Sequence, residues 1–195
     1  MKKILISSLA VAGLLFTVSC NTEFDTDVKD VKVTNGTADF TKYVALGNSL
    51  TSGYRDGALY LDGQNESYPS MIAQQMKLAG GASVFNQPLM ADNLGGIPAV
   101  GVSNKLILTV SASGALAPVT ASGTATNTIA NIYKPEAPIY NLGVPGAKSY
   151  HLVAPGYGSA AGLANGTANP YFVRFASSST TTVLADAMKI NPTFY

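Results

Sequence analysis

Tryptophan is absent from the 195-residue chain, cysteine and histidine occur once each, and charged side chains make up only 12%. Each scarcity excludes something. Cys20 alone cannot form an intramolecular disulfide. One thiol and His151 cannot assemble a four-ligand zinc centre, so neither a metal nor another cofactor is expected. Charge at about half the usual share, with a net of +1, leaves no basic patch for nucleic acid. The longest apolar run, residues 4–18, falls short of the roughly 20 residues that a membrane-spanning helix needs. No internal repeat is visible.

What is present at the N-terminus reads as a secretion signal. Lys2 and Lys3 form a basic start, residues 4–18 an apolar middle, and Thr17-Val18-Ser19-Cys20 the close. A small residue followed by cysteine resembles a bacterial lipobox, in which the thiol is lipidated and becomes the mature first residue. The plainer alternative is an ordinary cleaved signal with an incidental cysteine. Lipidation at Cys20 is the expectation, with residues 1–19 as signal peptide. Residues 20–39 read as a flexible acidic tether carrying Glu23, Asp25, Asp27 and Asp30. Acidic residues directly after a lipidated cysteine resemble the surface-export signals of Bacteroidetes lipoproteins. Loss of Lys2 and Lys3 takes the net charge from +1 to −1. An acyl chain on Cys20 would then be the anchor to a membrane surface. The expected location is the cell envelope, at the outer membrane of a Gram-negative bacterium.

The chemistry points to one serine. Tyr43 to Leu46 reads as a short buried strand that ends abruptly in Gly47-Asn48-Ser49-Leu50. Ligands of α/β folds sit outside the carboxyl ends of the strands, so a serine there is displayed to a cleft. Gly47 is read as supplying backbone angles that other residues resist. A second strand, residues 137–142, runs into another glycine turn, Gly143-Val144-Pro145-Gly146. A serine nucleophile needs a general base within hydrogen-bond reach and donors for the oxyanion of the tetrahedral intermediate. The donors expected are the N–H of Ser49 and that of Gly143 or Gly146. The base is the difficulty. His151, the only histidine, reads as a loop residue rather than the base, and Asp56 and Asp62 read as turn formers in a solvated loop, residues 54–65.

The remaining elements follow from caps and periodicity. Ser67-Tyr68-Pro69-Ser70 opens a helix that carries Met71, Ile72, Met76 and Leu78 and stops at Gly80-Gly81. Met71 and Met76 are read as core packing. Residues 86–134 read as an insertion containing a β-hairpin, 105–110 with 115–120, whose role is to cover a sheet edge or shape a cleft. Residues 180–190 read as a helix with an apolar stripe at Val183, Leu184, Ala187 and Met188, stopped by Asn191-Pro192. Thr193-Phe194-Tyr195 begins a further strand. A domain rarely finishes on a half-made core strand, so the chain is expected to be the front part of a longer one.

Two of these stretches resemble a known family. Val44-Ala45-Leu46-Gly47-Asn48-Ser49-Leu50-Thr51-Ser52-Gly53 resembles the first block of SGNH/GDSL hydrolases, Gly-Asp-Ser-Leu-Thr-x-Gly, with Asn48 in place of the aspartate. Asn141-Leu142-Gly143-Val144-Pro145-Gly146 resembles the second, Asn-x-Gly-x-x-Gly. The likeness extends over residues 40–195 and is nearest to lipid-anchored Bacteroidetes members with an inserted hairpin. It implies a flavodoxin-like three-layer α/β/α sandwich, incomplete here, and ester hydrolysis. Ser49 would be the nucleophile and one oxyanion donor, and Gly143 the second donor. The family's third block, Gly-x-Asn-Asp, and its last, Asp-x-x-His, are absent, and Lys148 stands three residues before His151.

The reading is therefore the N-terminal part of a membrane-anchored serine esterase or acylhydrolase. Its substrate would be a small-molecule, lipid or glycan ester, cleaved through an acyl-serine intermediate. The alternative is a non-catalytic surface lipoprotein that binds a glycan or a partner on a borrowed hydrolase fold.

Overall fold

The computed structural model describes residues 27–195; the signal sequence and Cys20 lie outside the described residues. The chain divides into two units, residues 1–33 and 34–195. The described part of the first holds one 3₁₀ turn, Val28–Asp30. All other elements belong to the second, which mixes helices with short strands in the α/β class.

Two parallel strands position the candidate site. β1 is Ala45–Gly47 and β4 is Asn141–Gly143, paired Ala45 to Asn141, Leu46 to Leu142 and Gly47 to Gly143. Both bury apolar side chains, as a parallel sheet covered by other elements requires. On the other side of β1, Phe194 forms an isolated parallel bridge to Tyr43, and Val44 N–H donates to the Phe194 carbonyl at 2.9 Å. The strand-like start at Thr193 thus lies against β1. The free edge of β4 meets the segment after residue 85, because the Asn86 carbonyl accepts the N–H of Tyr140 at 2.9 Å.

The core beneath β1 and β4 contains Val44, Leu142, Val144, Phe172, Phe175 and Val183. Two helices supply much of it. α4, Pro170–Val173, starts at Asn169 with proline in its first turn. α5, Val183–Lys189, is capped by Thr182, whose side chain accepts the Ala185 N–H at 3.0 Å. The predicted stripe of α5 is only half right. Val183 and Ala187 are buried, but Leu184 and Met188 are exposed. The third inward residue is Asp186, which accepts hydrogen bonds from Ser177 and Thr181 and pairs with Lys189 at 3.1 Å. A buried carboxylate fully supplied with donors replaces the expected leucine face.

α3, Tyr68–Leu78, has the expected cap, Ser67 Oγ accepting from Ser70 N–H, and the expected proline in the first turn. Its methionines correct the core assignment: Met71 is exposed and Met76 half-buried. The loop expected over residues 54–65 is also more ordered than predicted. Ala58, Leu59 and Tyr60 are buried, and α2, Leu61–Asn65, follows.

Part of the inserted region is wound into a second core, while its hairpin stays outside. The hairpin forms, β2 Leu106–Val110 against β3 Leu116–Thr120, antiparallel with Leu108 opposite Pro118, and leaves Leu108, Val110 and Leu116 exposed. Apart from it, Met90 and Ile97 pack with Leu59 and Tyr171. Buried Gln64 accepts the Met90 N–H at 2.6 Å and donates to the Pro88 carbonyl at 3.0 Å. Buried Arg174 donates to the carbonyls of Pro88 and Leu89, and burial lowers its pKa from the ordinary arginine value. A low-complexity sequence gives no apolar period by which such polar clamps could be foreseen.

Asp92 is the strongest of these clamps. Its carboxylate accepts from the N–H groups of Leu94, Gly95 and Thr126, the Thr126 hydroxyl and the Asn127 amide. Burial alone would raise its pKa; the donors from Thr126, Gly95 and Leu94 outweigh it and hold the group at about 2 against an ordinary 3.8. A depressed native pKa adds stability that is present above the unfolded value and lost as pH falls through the native one. Stability is therefore expected to decline from about pH 5 towards pH 2, and Asp92→Asn to flatten that decline. Thermal melts at stepped pH test this; equal acid slopes for wild type and variant would refute it.

Candidate active site

Ser49 sits where the strand hands over to a helix. Asn48 is the N-cap of α1, Ser49–Ser52: its Oδ1 accepts the Leu50 N–H at 3.2 Å and its carbonyl accepts the Ser52 N–H at 3.0 Å. Asn48 thus organises the turn. The helix lasts one turn and ends at Gly53 with φ 83°. The Ser49 carbonyl is tied by the Ser52 hydroxyl at 2.8 Å and the Tyr54 N–H at 2.9 Å. The Ser49 Oγ and N–H have no partner among the described residues, and the side chain is half-buried. Its backbone is held while its reactive ends are free.

Gly47 is needed for a reason other than the one expected. Its φ lies outside the left-handed range, but a Cβ there would stand 2.0 Å from Thr51 Oγ1. The helix packs so closely on the strand end that no side chain fits.

The second turn leaves the neighbouring strand at the same end. Gly47 and Gly143 are register partners, and the Val144 N–H donates to the Gly47 carbonyl at 3.0 Å. Ser49 and Gly146 follow two and three residues beyond this last rung. The two glycines of this turn differ in what their N–H groups meet. The Gly143 N–H is buried and already donates to Asn141 Oδ1 at 3.0 Å. Gly146, the other glycine of the motif, is exposed, has φ 79°, and its N–H finds no acceptor among the described residues. The free donor of this turn is Gly146.

Asn141 does the structural work instead. Buried, it donates to the Thr51 carbonyl and to Gln87 Oε1, both at 2.9 Å, while accepting from Gly143. One side chain therefore joins β4, α1 and the inserted segment.

His151 closes on its own turn. It lies in a 3₁₀ helix, Ser149–Val153, where its Nδ1 accepts the Lys148 N–H at 3.1 Å and its ring stacks on Tyr157 at 4.4 Å. These contacts take up Nδ1 and one face of the ring. Asp56, at φ 53°, accepts from the Tyr60 hydroxyl, and Asp62 is exposed in the first turn of α2. Neither is joined to Ser49. A cavity of about 290 Å³ lined by Lys42, Tyr140, Phe175, Asp186 and Ile190 lies by the amino ends of the strands, away from the serine. Among the described residues, no group of three His, Cys, Asp or Glu side chains is placed to hold a metal, and no helix is long and apolar enough to cross a membrane.

One residue at the site escaped the sequence reading. Asn169 caps α4 and reaches the Pro145 carbonyl at 2.8 Å. Its local signal was legible, because asparagine before proline is a helix-start pattern. Its reach to Pro145, 24 positions away in sequence, was not. No protein-family model, curated protein or solved structure matches this chain.

Proposed function

We propose that this chain carries the nucleophile and two oxyanion donors of a lipid-anchored serine esterase or acylhydrolase of SGNH type. The carrying observation is the pairing of two turns at one strand end, one with a serine hydroxyl and the other with a glycine N–H that have no partner among the described residues. Three parallel segments side by side, Phe194, β1 and β4, suit the flavodoxin-like arrangement that the family resemblance implies.

In this reading Ser49 Oγ attacks the ester carbonyl and gives up its proton to a base. The carbonyl oxygen becomes an oxyanion that accepts from the N–H groups of Ser49 and Gly146. Collapse expels the alcohol and leaves an acyl-serine, which water then hydrolyses. In the family that the sequence resembles, the base and a third, asparagine donor belong to the Asp-x-x-His and Gly-x-Asn-Asp blocks. The substrate class is a carboxylic ester of a small molecule, lipid or acylated glycan. The location is the cell envelope, at the outer membrane, anchored through Cys20.

The test is covalent labelling of the natively expressed protein by a fluorophosphonate, which reacts only with an activated serine. Labelling at Ser49, mapped by peptide mass, is expected. Absence of label in protein that is folded and fully expressed would refute the reading. The second reading, a non-catalytic binding lipoprotein, draws on one observation: the only imidazole is engaged in its own turn. It predicts no label.

A further inference from the structure

The Pro145–Gly146 peptide is held from behind. Proline has no N–H to anchor it, and Gly146 at φ 79° is the kind of residue that can swing. Yet the Pro145 carbonyl accepts the Asn169 Nδ2–H at 2.8 Å. The same amide donates to the Tyr157 hydroxyl at 3.0 Å, and Tyr157 is buried in the core against Phe172. Asn169 Oδ1 accepts from the N–H groups of Tyr171 and Phe172, and its backbone N–H donates to the Tyr157 carbonyl. The donors and acceptor of this side chain are therefore all used, and all their partners are core or turn atoms.

A peptide unit is planar and trans, so its C=O and N–H point in opposite directions. Fixing the Pro145 carbonyl towards Asn169 fixes the Gly146 N–H away from it. A hydrogen bond accepted at the carbonyl also polarises the amide and strengthens its N–H as a donor. We propose that Asn169 is a positioning residue for the acyl-transfer site: through the Pro145 carbonyl it sets the direction and strength of the Gly146 N–H. This rests on the esterase reading, in which that N–H receives the oxyanion. Such a residue acts on the transition state more than on the bound ester, because charge develops on the carbonyl oxygen only during attack.

Asn169→Asp separates this role from the cap. Aspartate keeps an oxygen for the Tyr171 and Phe172 N–H groups and is as good an N-cap, but it loses the donor to Pro145 and sets a carboxylate against that carbonyl. In the natively expressed protein, Asn169→Asp is expected to lower kcat for a short-chain aryl ester by about 10- to 100-fold, somewhat less than outright removal of an oxyanion donor. KM should stay within about twofold of wild type, as for an interaction made only in the transition state. The thermal midpoint should fall less in Asn169→Asp, which keeps the cap, than in Asn169→Ala, which should lower kcat as well. The Gly146 amide resonance should shift in Asn169→Asp, independently of any activity. Full kcat in Asn169→Asp, or an unmoved Gly146 amide, would overturn the positioning role while leaving the esterase reading intact. A wild-type protein with neither turnover nor Ser49 labelling would overturn both.

Discussion

Gly143→Ala is expected to abolish cooperative folding of the natively expressed protein. A Cβ at this position would lie 2.4 Å from the Ser52 nitrogen and 2.7 Å from the Thr51 carbonyl carbon. Both are backbone atoms of α1, and the strand carrying Gly143 is buried, so neither side can yield by a rotamer change. Relief requires moving α1 off β4. That would break the Asn141 bond to the Thr51 carbonyl and open the core around Leu142. The cost should exceed the ~1–3 kcal/mol of ordinary overpacking and approach the whole stability of a small domain. Gly146→Ala is the control. Nothing lies within 4 Å of its added Cβ, so only the left-handed backbone opposes it, at about 1 kcal/mol. The contrast is read by soluble yield and a thermal melt. A Gly143→Ala protein that melts like wild type would refute the close packing of helix on strand.

Ser49→Ala is expected to reduce ester turnover by on the order of 10⁶-fold, the loss typical of removing a serine nucleophile, with the fold intact. The Ser49 hydroxyl holds no partner among the described residues, so its loss removes no structural bond. The turn is kept by Asn48 and by the Ser49 carbonyl, both of which survive the substitution. Steady-state hydrolysis of a short-chain aryl ester, beside a melt of the same sample, separates chemistry from stability. Wild-type kcat in Ser49→Ala would eliminate this serine as the nucleophile. Wild-type stability with no turnover is the outcome that the geometry supports.

Much of this scaffold could be read before any coordinates, and the reason differs between elements. The strand-to-turn junction at Gly47-Asn48-Ser49 is local: an apolar run, a glycine and a capping side chain are contiguous. The caps at Ser67 and Thr182 are local too. The hairpin 106–120 was legible because a five-residue turn region separates two β-rich runs. What escaped is non-local and polar. The three polar residues Gln64, Asp92 and Arg174 organise the inserted region through backbone carbonyls and N–H groups more than 20 positions away. No hydrophobic pattern signals such bonds. Gly143 illustrates the same limit. Which glycine N–H of its turn meets an acceptor depends on where the Asn141 side chain turns. Met71 and Met188 were assigned to the core from helical period alone, although period gives a face and not what covers it.

The bridge between Tyr43 and Phe194 has a consequence in time. Its partners lie 151 positions apart, the same separation as the Lys42–Thr193 contact beside it. At about 5–20 residues per second of synthesis, roughly 8–30 s pass between the appearance of Tyr43 and that of Phe194. Throughout that interval one flank of β1 has no native neighbour. A chain that cannot pair this flank of β1 until residue 194 emerges stays short of its native sheet for all of that time. Late pairing of that kind leaves the backbone groups on the outer side of β1 open to any other strand for the same interval.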